Sequence, residues 1–206
     1  MTLLTVLDYA AVFVFALTGA LVASRAQLDV VGFIFLACLT ATGGGTIRDL
    51  LLDRDPFWIR DPAILMVASG AAVLIFFTAH LAESRYRLLL WLDAAALSVA
   101  VAAGVGVALA EEQPAAIVLL MGVVTGTFGG MLRDVVANEV PLVLKQGELY
   151  ATAAFAGSGA GLIALWLGSE EPLALLAAAT VTLALRAGSM ALGWKLPVYK
   201  SRPPRA

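Results

Sequence analysis

Long apolar segments alternate with short polar breaks along the chain. The breaks include Arg25-Ala26-Gln27 and Glu111-Glu112-Gln113-Pro114. A transmembrane helix needs about 20 predominantly apolar residues, and each segment comes close to that length. The pattern therefore predicts seven spanning helices, at about Leu3–Ala23, Val30–Leu52, Ala63–Leu81, Leu88–Ala110, Ala115–Val136, Leu149–Leu167 and Leu173–Leu192.

The composition agrees with a chain whose solvent is lipid. Of its 206 residues 61% are hydrophobic and 14% are charged, with a mean hydropathy of +0.94. Soluble domains are about 45–50% apolar and about 25% charged, and a soluble globule of this length could not bury so much apolar surface. We expect an all-α membrane protein with a single transmembrane domain over residues 1–206. The net charge of −2 argues against nucleic acid as a partner.

One eight-residue stretch occurs twice in the chain. Thr42-Gly43-Gly44-Gly45-Thr46-Ile47-Arg48-Asp49 matches Thr127–Asp134 at an offset of 85 positions. The same offset pairs Leu7-Asp8 with Leu92-Asp93, Gly19 with Gly104, Thr40 with Thr125, and Pro56 with Pro141. These matches predict an internal duplication, with repeat one at about 3–82 and repeat two at about 88–168. A seventh helix at about 172–195 and a short basic tail at 196–206 follow.

Each repeat has three predicted spans, so the second repeat must be inverted relative to the first. Inverted repeats are typical of transport proteins whose pathway lies between the repeats. Lys and Arg concentrate in cytoplasmic loops, which predicts an outside N-terminus and a cytoplasmic C-terminus. The basic side would carry Arg25, Arg85, Arg87, Lys145, Lys195, Lys200, Arg202 and Arg205, and the other side Arg54 and Arg60.

The duplicated glycines lie near the middle of their predicted spans. Each glycine weakens a helix by about 1 kcal/mol relative to alanine, so the clusters predict a kink or local unwinding that frees carbonyl groups. Such carbonyls would line a weak cation path together with the nearby hydroxyls of Thr40, Thr42, Thr46, Thr125 and Thr127. Alternatively, small residues four positions apart serve close helix packing. The candidate pore and hinge residues are Gly43, Gly44, Gly45, Gly129, Gly130, Thr42, Thr46 and Thr127.

Charged residues follow both glycine clusters inside apolar segments. A charge at the bilayer centre costs at least about 2.5–3.5 kcal/mol, so these residues should be paired or wet. Neighbouring residues on a helix point about 100° apart, and we expect the adjacent Arg and Asp not to pair. Either Asp8 meets Arg48 and Asp93 meets Arg133, or Arg48 meets Asp134 and Arg133 meets Asp49. This candidate network is part of a pathway or a structural lock. Arg186 is expected to reach toward the cytoplasmic interface.

The remaining residues carry no sign of catalysis. His80 is the single histidine, and no His, Cys and carboxylate cluster has the spacing of a metal site. The glycines follow an apolar helix and not a strand, so they do not indicate a nucleotide-binding loop. We expect no enzymatic activity, no metal and no cofactor.

Two three-span repeats with glycine clusters followed by Arg-Asp, plus a seventh span, resemble the TRIC (trimeric intracellular cation) channel family, in particular its prokaryotic members. The motifs that carry the resemblance are Thr42–Asp49 with Pro56-Phe57-Trp58, and Gly129–Asp134 with Pro141. The resemblance implies a homotrimer with a pore in each subunit, lined by second and fifth spans that bend at the glycines. It implies conduction of monovalent cations, mainly potassium, across a prokaryotic plasma membrane. Phe128 replaces the glycine found at position 43 of repeat one, and the long basic tail of animal members is absent.

Three functions fit these observations. The first is a potassium-permeable channel. The second is a secondary transporter of a small solute such as glycine, because prokaryotic relatives have been labelled glycine transporters and inverted repeats support alternating access. The third is an accessory membrane protein without a pathway. Besides further copies of itself in a homotrimer, the expected partners are lipid and monovalent cations.

Overall fold

A computed structural model describes residues 2–81 and 84–197, and all regular elements in these ranges are helical. The distal part of the predicted basic tail, with Lys200, Arg202 and Arg205, lies outside them. The helices are α1 (Leu3–Arg25), α2 (Val30–Leu51), α3 (Phe57–Arg60), α4 (Ala63–Thr78), α5 (Arg85–Ala110), α6 (Ala115–Val136), α7 (Ala151–Trp166) and α8 (Glu171–Leu192). Short 3-10 turns follow at Ala79–Leu81 and Leu142–Leu144.

The long helices agree with the predicted apolar segments to within three residues at each end. Several begin where a polar side chain caps the first turn: the side chains of Thr2, Asp29 and Ser84 accept hydrogen bonds from backbone N–H groups. Six helices of the described ranges are long and apolar enough to span a membrane. The seventh candidate, α7, has 16 residues, and at about 1.5 Å per residue it is shorter than the core of a bilayer. The protein is therefore an all-helical membrane protein with six clear spans.

Helices α1 and α5 form the interior of the bundle. α1 packs against α2, α4 and α5, whereas α5 packs against α1, α6, α7 and α8. The buried faces of both consist largely of alanine, glycine and valine, and small residues allow helices to approach closely. Large apolar side chains such as Met66, Phe77 and Trp166 remain exposed on the outside. This arrangement suits a protein surrounded by lipid.

The glycine clusters bring α2 and α6 into direct contact. A Cβ atom on Gly44 would overlap the carbonyl oxygen of Thr125, and one on Gly129 would overlap the carbonyl oxygen of Thr40. The contact is reciprocal. On each helix the glycine touches a threonine of the other helix, and that threonine lies four residues before the other glycine. Both helices stay α-helical through their clusters, so the predicted local unwinding is absent. The glycines are needed here because a side chain would push the two backbones apart.

Charged contacts at the two ends of the bundle join helices that are far apart in sequence. At one end, which we call the Arg54 end, Arg54 pairs with Glu111 at 2.8 Å and the Tyr9 hydroxyl donates to Asp61 at 2.6 Å. At the other, which we call the Arg25 end, Arg25 pairs with Glu139 at 3.1 Å. The ends of α2 and α5 thus meet at the Arg54 end, and the ends of α1 and α6 meet at the Arg25 end.

Candidate functional site

A buried charge cluster lies where α2 ends. The guanidinium of Arg48 is fully buried; its Nε donates to Asp49 Oδ1 at 2.9 Å and its Nη1 to Asp8 Oδ1 at 3.1 Å. The second oxygen of Asp49 accepts the backbone N–H of Phe57 at 2.8 Å, which ties the start of α3 to α2. The Phe57 ring lies 5.4 Å from the guanidinium. We call Asp8, Arg48 and Asp49 the first cluster.

An equivalent cluster lies where α6 ends. Arg133 Nε donates to Asp134 Oδ1 at 2.8 Å, and its Nη1 donates to Asp93 Oδ1 at 2.9 Å. Asp134 Oδ2 accepts the backbone N–H of Leu142 at 2.9 Å, just as Asp49 binds Phe57. Arg133 Nη1 also donates to the Thr18 hydroxyl at 2.9 Å. We call Asp93, Arg133 and Asp134 the second cluster.

Of the two pairings left open by the sequence, the structure contains the one within each repeat. Among the ion pairs of the described residues, Arg48 does not meet Asp134, and Arg133 does not meet Asp49. The expectation that adjacent Arg and Asp do not pair was wrong in both repeats. The long arginine side chain turns back so that its Nε reaches the neighbouring carboxylate, while its Nη1 reaches across to the first helix of the repeat.

Each cluster has two carboxylates and one guanidinium. If both carboxylates are ionised, each cluster carries one negative charge in excess. Buried charge is costly unless it is paired, so this excess favours a nearby cation. In that state the carboxylates of each cluster more than neutralise its arginine.

The first cluster faces a cleft at the Arg54 end. The cleft has a volume of about 270 Å³ and is lined by polar side chains that include Asp8, Arg54, Arg60 and Asp61. Deeper in the bundle lies a cavity of only about 10 Å³, which we call the narrow cavity. A water molecule needs roughly 10–15 Å³, so the narrow cavity admits one water at most. Asp8 and Phe57 line both spaces, so the cleft and the narrow cavity are neighbours.

The threonines differ in what they face. Thr40 and Thr125 line the narrow cavity, as do Gly44 and Gly45. The hydroxyls of Thr40 and Thr125 donate to the carbonyl groups of Leu36 and Met121, which leaves oxygen lone pairs for an ion. The hydroxyls of Thr42, Thr46 and Thr127 also donate four residues back, but these side chains are not among those lining the narrow cavity. Thr46 in addition accepts a hydrogen bond from Trp58 Nε1 at 2.9 Å.

The remaining glycines of the candidate set make room for side chains. A Cβ atom on Gly43 would lie 2.8 Å from Leu132 Cδ1, and one on Gly45 would lie 2.6 Å from the Phe57 ring. A Cβ atom on Gly130 would lie 3.1 Å from the hydroxyl of Tyr150. The glycines thus serve packing of helix against helix and of ring against helix.

Three residues next to the second cluster were missed or misjudged in the sequence. Arg186 is fully buried and pairs with Glu148 at 2.8 Å, so it does not reach the interface as expected. Its guanidinium lies 5.0 Å from the ring of Tyr150, which is itself 2% exposed. The charge of Arg186 within an apolar segment was a signal that it needed a buried partner. Tyr150 carried no such signal.

Within the described ranges, no group of three or more His, Cys, Asp and Glu side chains could hold a metal ion.

A family model described as "Glycine transporter" matches residues 5–80 and again residues 90–167. The two matched segments start 85 positions apart, which is the offset of the repeated motif. The chain is 40% identical over 203 residues to a UPF0126 membrane protein from Vibrio cholerae, covering 96% of this chain and 83% of the relative. It is 40% identical to the UPF0126 inner membrane protein YadS from Escherichia coli K12, covering 94% of each.

Among solved structures, the chain is similar to the TRIC trimeric intracellular cation channel orthologue from Rhodobacter sphaeroides. The TM-score is 0.90 at 43% identity, covering 94% of this chain and all of the other. The fold and the buried clusters define an integral membrane protein of the ion channel class, not an enzyme. The chain belongs to the TRIC channel family, whose prokaryotic members include the UPF0126 membrane proteins.

Proposed function

We propose that the protein is a channel for monovalent cations, chiefly K⁺, and that the path runs through each subunit between α2 and α6. The observation that carries this proposal is the position of Asp8, which lines both the cleft at the Arg54 end and the narrow cavity beyond it. A cation in the cleft would meet the excess negative charge of the first cluster. The hydroxyl oxygens of Thr40 and Thr125 would come next. Such oxygen ligands bind cations weakly enough to let them leave.

The proposal includes an inverted duplication with seven crossings. The reciprocal contact of Gly44 with Thr125 and of Gly129 with Thr40 supports it, because helices with this pattern cross in antiparallel fashion. The alternation of helix ends between the Arg54 end and the Arg25 end agrees with one crossing per long helix. In this arrangement α7 crosses despite its length. The Arg25 end, with the greater number of Lys and Arg, would be cytoplasmic, and the N-terminus would be outside.

In the described conformation the path is closed. The narrow cavity is about one water wide, and α2 and α6 touch through their backbones. Opening would require these two helices to bend or move apart at Gly43, Gly44, Gly45, Gly129 and Gly130, where glycine costs the helix least to deform. The channel from Rhodobacter sphaeroides is named as trimeric. We accordingly propose a homotrimer in which each subunit has its own path.

Recording in planar bilayers tests the proposal. With asymmetric KCl, wild-type protein should give unitary currents whose reversal potential is shifted from zero toward the K⁺ equilibrium potential. Asp8→Asn should lower the unitary conductance, and more so at low salt, because screening weakens the effect of a charge near the cleft. Asp29→Asn is the matched control, since Asp29 caps the exposed start of α2. Equal conductance in Asp8→Asn and wild type would count against a path past the first cluster.

The description of the matching family model favours one alternative, a glycine transporter. The inverted halves that contact each other at α2 and α6 would then rock to give alternating access. Saturable uptake of glycine with counterflow, and no unitary currents from the same preparation, would support the transporter over the channel.

A further inference from the structure

The last described segment, Gly193–Pro197, folds back from the end of α8; we call it the strap. The N–H of Leu196 donates to the carbonyl oxygen of Gly147 at 2.9 Å. The Ser189 hydroxyl donates to the carbonyl oxygen of Trp194 at 3.0 Å and accepts the N–H of Leu149 at 3.2 Å. The strap and the end of α8 are thus bonded to the segment Lys145–Tyr150 between α6 and α7, which we call the linker.

The linker places two side chains beside the second cluster. Glu148 holds Arg186, whose guanidinium lies against the ring of Tyr150. The hydroxyl of Tyr150 lies 3.1 Å from the point where a Cβ of Gly130 would stand, and Asp93 Oδ1 lies 3.4 Å from the same point. Tyr150 therefore covers the second cluster on the side of the linker.

The Tyr150 hydroxyl itself is not held in place by a hydrogen bond to any described residue. In the described ranges the Tyr150 hydroxyl, Asp93 Oδ2, Arg133 Nη2 and two nitrogens of Arg186 are buried without a partner. Buried polar groups without partners are costly, so the covered arrangement must be stabilised from elsewhere. A cavity of about 390 Å³ also lies between the linker and the strap. Few contacts hold the two segments together, and these can be broken one at a time.

Among the described residues, no strap and linker of this kind lie over the first cluster. The strap belongs to α8, which lies outside the duplication, and the first cluster opens to the cleft at the Arg54 end. The side chain of Asp8 is 18% exposed, whereas that of its counterpart Asp93 is fully buried.

We propose that the strap is a latch: it holds the linker so that Tyr150 closes the path at the Arg25 end, and its release opens that mouth. This inference rests on the proposed channel function. A latch of this kind controls the fraction of time the channel is open and leaves the conductance of the open state unchanged.

Substitutions in the strap test the latch without touching either cluster. Leu196→Pro removes the N–H that bonds Gly147, and Leu196→Ala is the matched control that keeps it. The loss of about one net hydrogen bond should raise the ratio of open to closed time about fivefold in planar bilayers. Ser189→Ala should act in the same direction, because it removes the bonds to Leu149 and Trp194.

A cross-link provides the converse test. The Cβ position of Gly147 lies 3.6 Å from Lys195 Cβ, within the range of about 3.5–4.5 Å that suits a disulfide. In a Cys38→Ser background, Gly147→Cys with Lys195→Cys should close the channel on oxidation and restore activity on reduction. Both single cysteine variants serve as controls. Gly147→Cys alone measures the effect of a side chain at Gly147, whose φ is +82°.

The outcomes separate the latch from the channel. If the wild-type protein gives currents, and Leu196→Pro and the oxidised cross-link change the open time as described, the latch is supported. If the wild-type protein gives currents but both variants keep its open time, the latch alone is overturned. Wild-type protein without unitary currents overturns both the channel and the latch. A changed unitary conductance in Leu196→Pro would mean that the strap lines the path, and it would also overturn the latch.

Discussion

The two charge clusters have the same bonds but different surroundings. In each, an arginine donates to the neighbouring aspartate and to an aspartate on the first helix of the repeat. The neighbouring aspartate also accepts the backbone N–H of a residue eight positions further along the chain. The first cluster is reached from a cleft, whereas the second is covered by Tyr150 and donates an extra hydrogen bond to the hydroxyl of Thr18. The bonds within the two clusters are thus the same, whereas Tyr150 and Thr18, whose matching positions hold Leu65 and Ala103, make the two ends unequal.

The comparison separates the features that belong to the fold from those that would regulate the proposed path. Bonds that occur twice, such as those of Asp49 and Asp134 to a backbone N–H, fix the return of the chain after α2 and α6. Features that occur once, such as Tyr150 over the second cluster, distinguish one mouth from the other. The clusters should therefore differ most in how much they tolerate the loss of a charge.

The largest expected difference follows from removing an arginine. Arg133→Ala would leave Asp93 buried without a counter-ion, and breaking a buried pair costs about 3–5 kcal/mol. Arg48→Ala should cost less: it also leaves one carboxylate, that of Asp49, fully buried without its partner, but water in the cleft can reach Asp8. Thermal unfolding of the detergent-purified variants measures both. Arg54→Ala, which breaks a partly exposed pair, is the control with little expected effect. Equal losses for Arg48→Ala and Arg133→Ala would show that the cleft does not hydrate the first cluster.

A smaller effect should be the same in both repeats. Alanine at Gly44 or Gly129 would place a methyl group against a backbone carbonyl of the other helix, and overpacking of this kind costs about 1–3 kcal/mol. Gly70→Ala and Gly159→Ala are matched controls, since a Cβ atom at either position meets nothing within 4 Å. They should be neutral or stabilising in the same unfolding measurement. If only one of Gly44→Ala and Gly129→Ala lowered the stability, the two halves of the helix contact would not be equivalent.

The smallest expected effect concerns Thr18. Thr18→Ala removes one acceptor from Arg133, which keeps its bonds to Asp93 and Asp134, so the loss should be about 1 kcal/mol. Thr18→Ser keeps the hydroxyl and should recover most of the stability. The counterpart of Thr18 in the second repeat is Ala103, so the bond has no equivalent at the first cluster. A loss as large as that of Arg133→Ala would mean that Thr18 determines the position of the arginine.

The apolar pattern predicted the long helices because lipid imposes a minimum length on each apolar segment. The buried charges were also evident, since Arg48 and Arg133 stand within such segments. The role of the glycines could not be derived, because glycine favours both a bend and a close contact, and only the partner helix decides between them. The Arg–Asp bond was missed because helix geometry gives the direction of Cβ and not the path of a long side chain. Tyr150 follows a polar linker whose conformation depends on α8.

A cysteine at the narrow cavity tests the central claim, namely that cations pass between the repeats of one subunit. Ala103 lines this cavity and is 1% exposed. In a Cys38→Ser background, we predict that a trimethylammonium methanethiosulfonate reagent reduces the K⁺ current of open Ala103→Cys channels in discrete steps. If Ala103→Cys channels still carry currents of wild-type size after mass spectrometry shows complete modification of the cysteine, the account is contradicted.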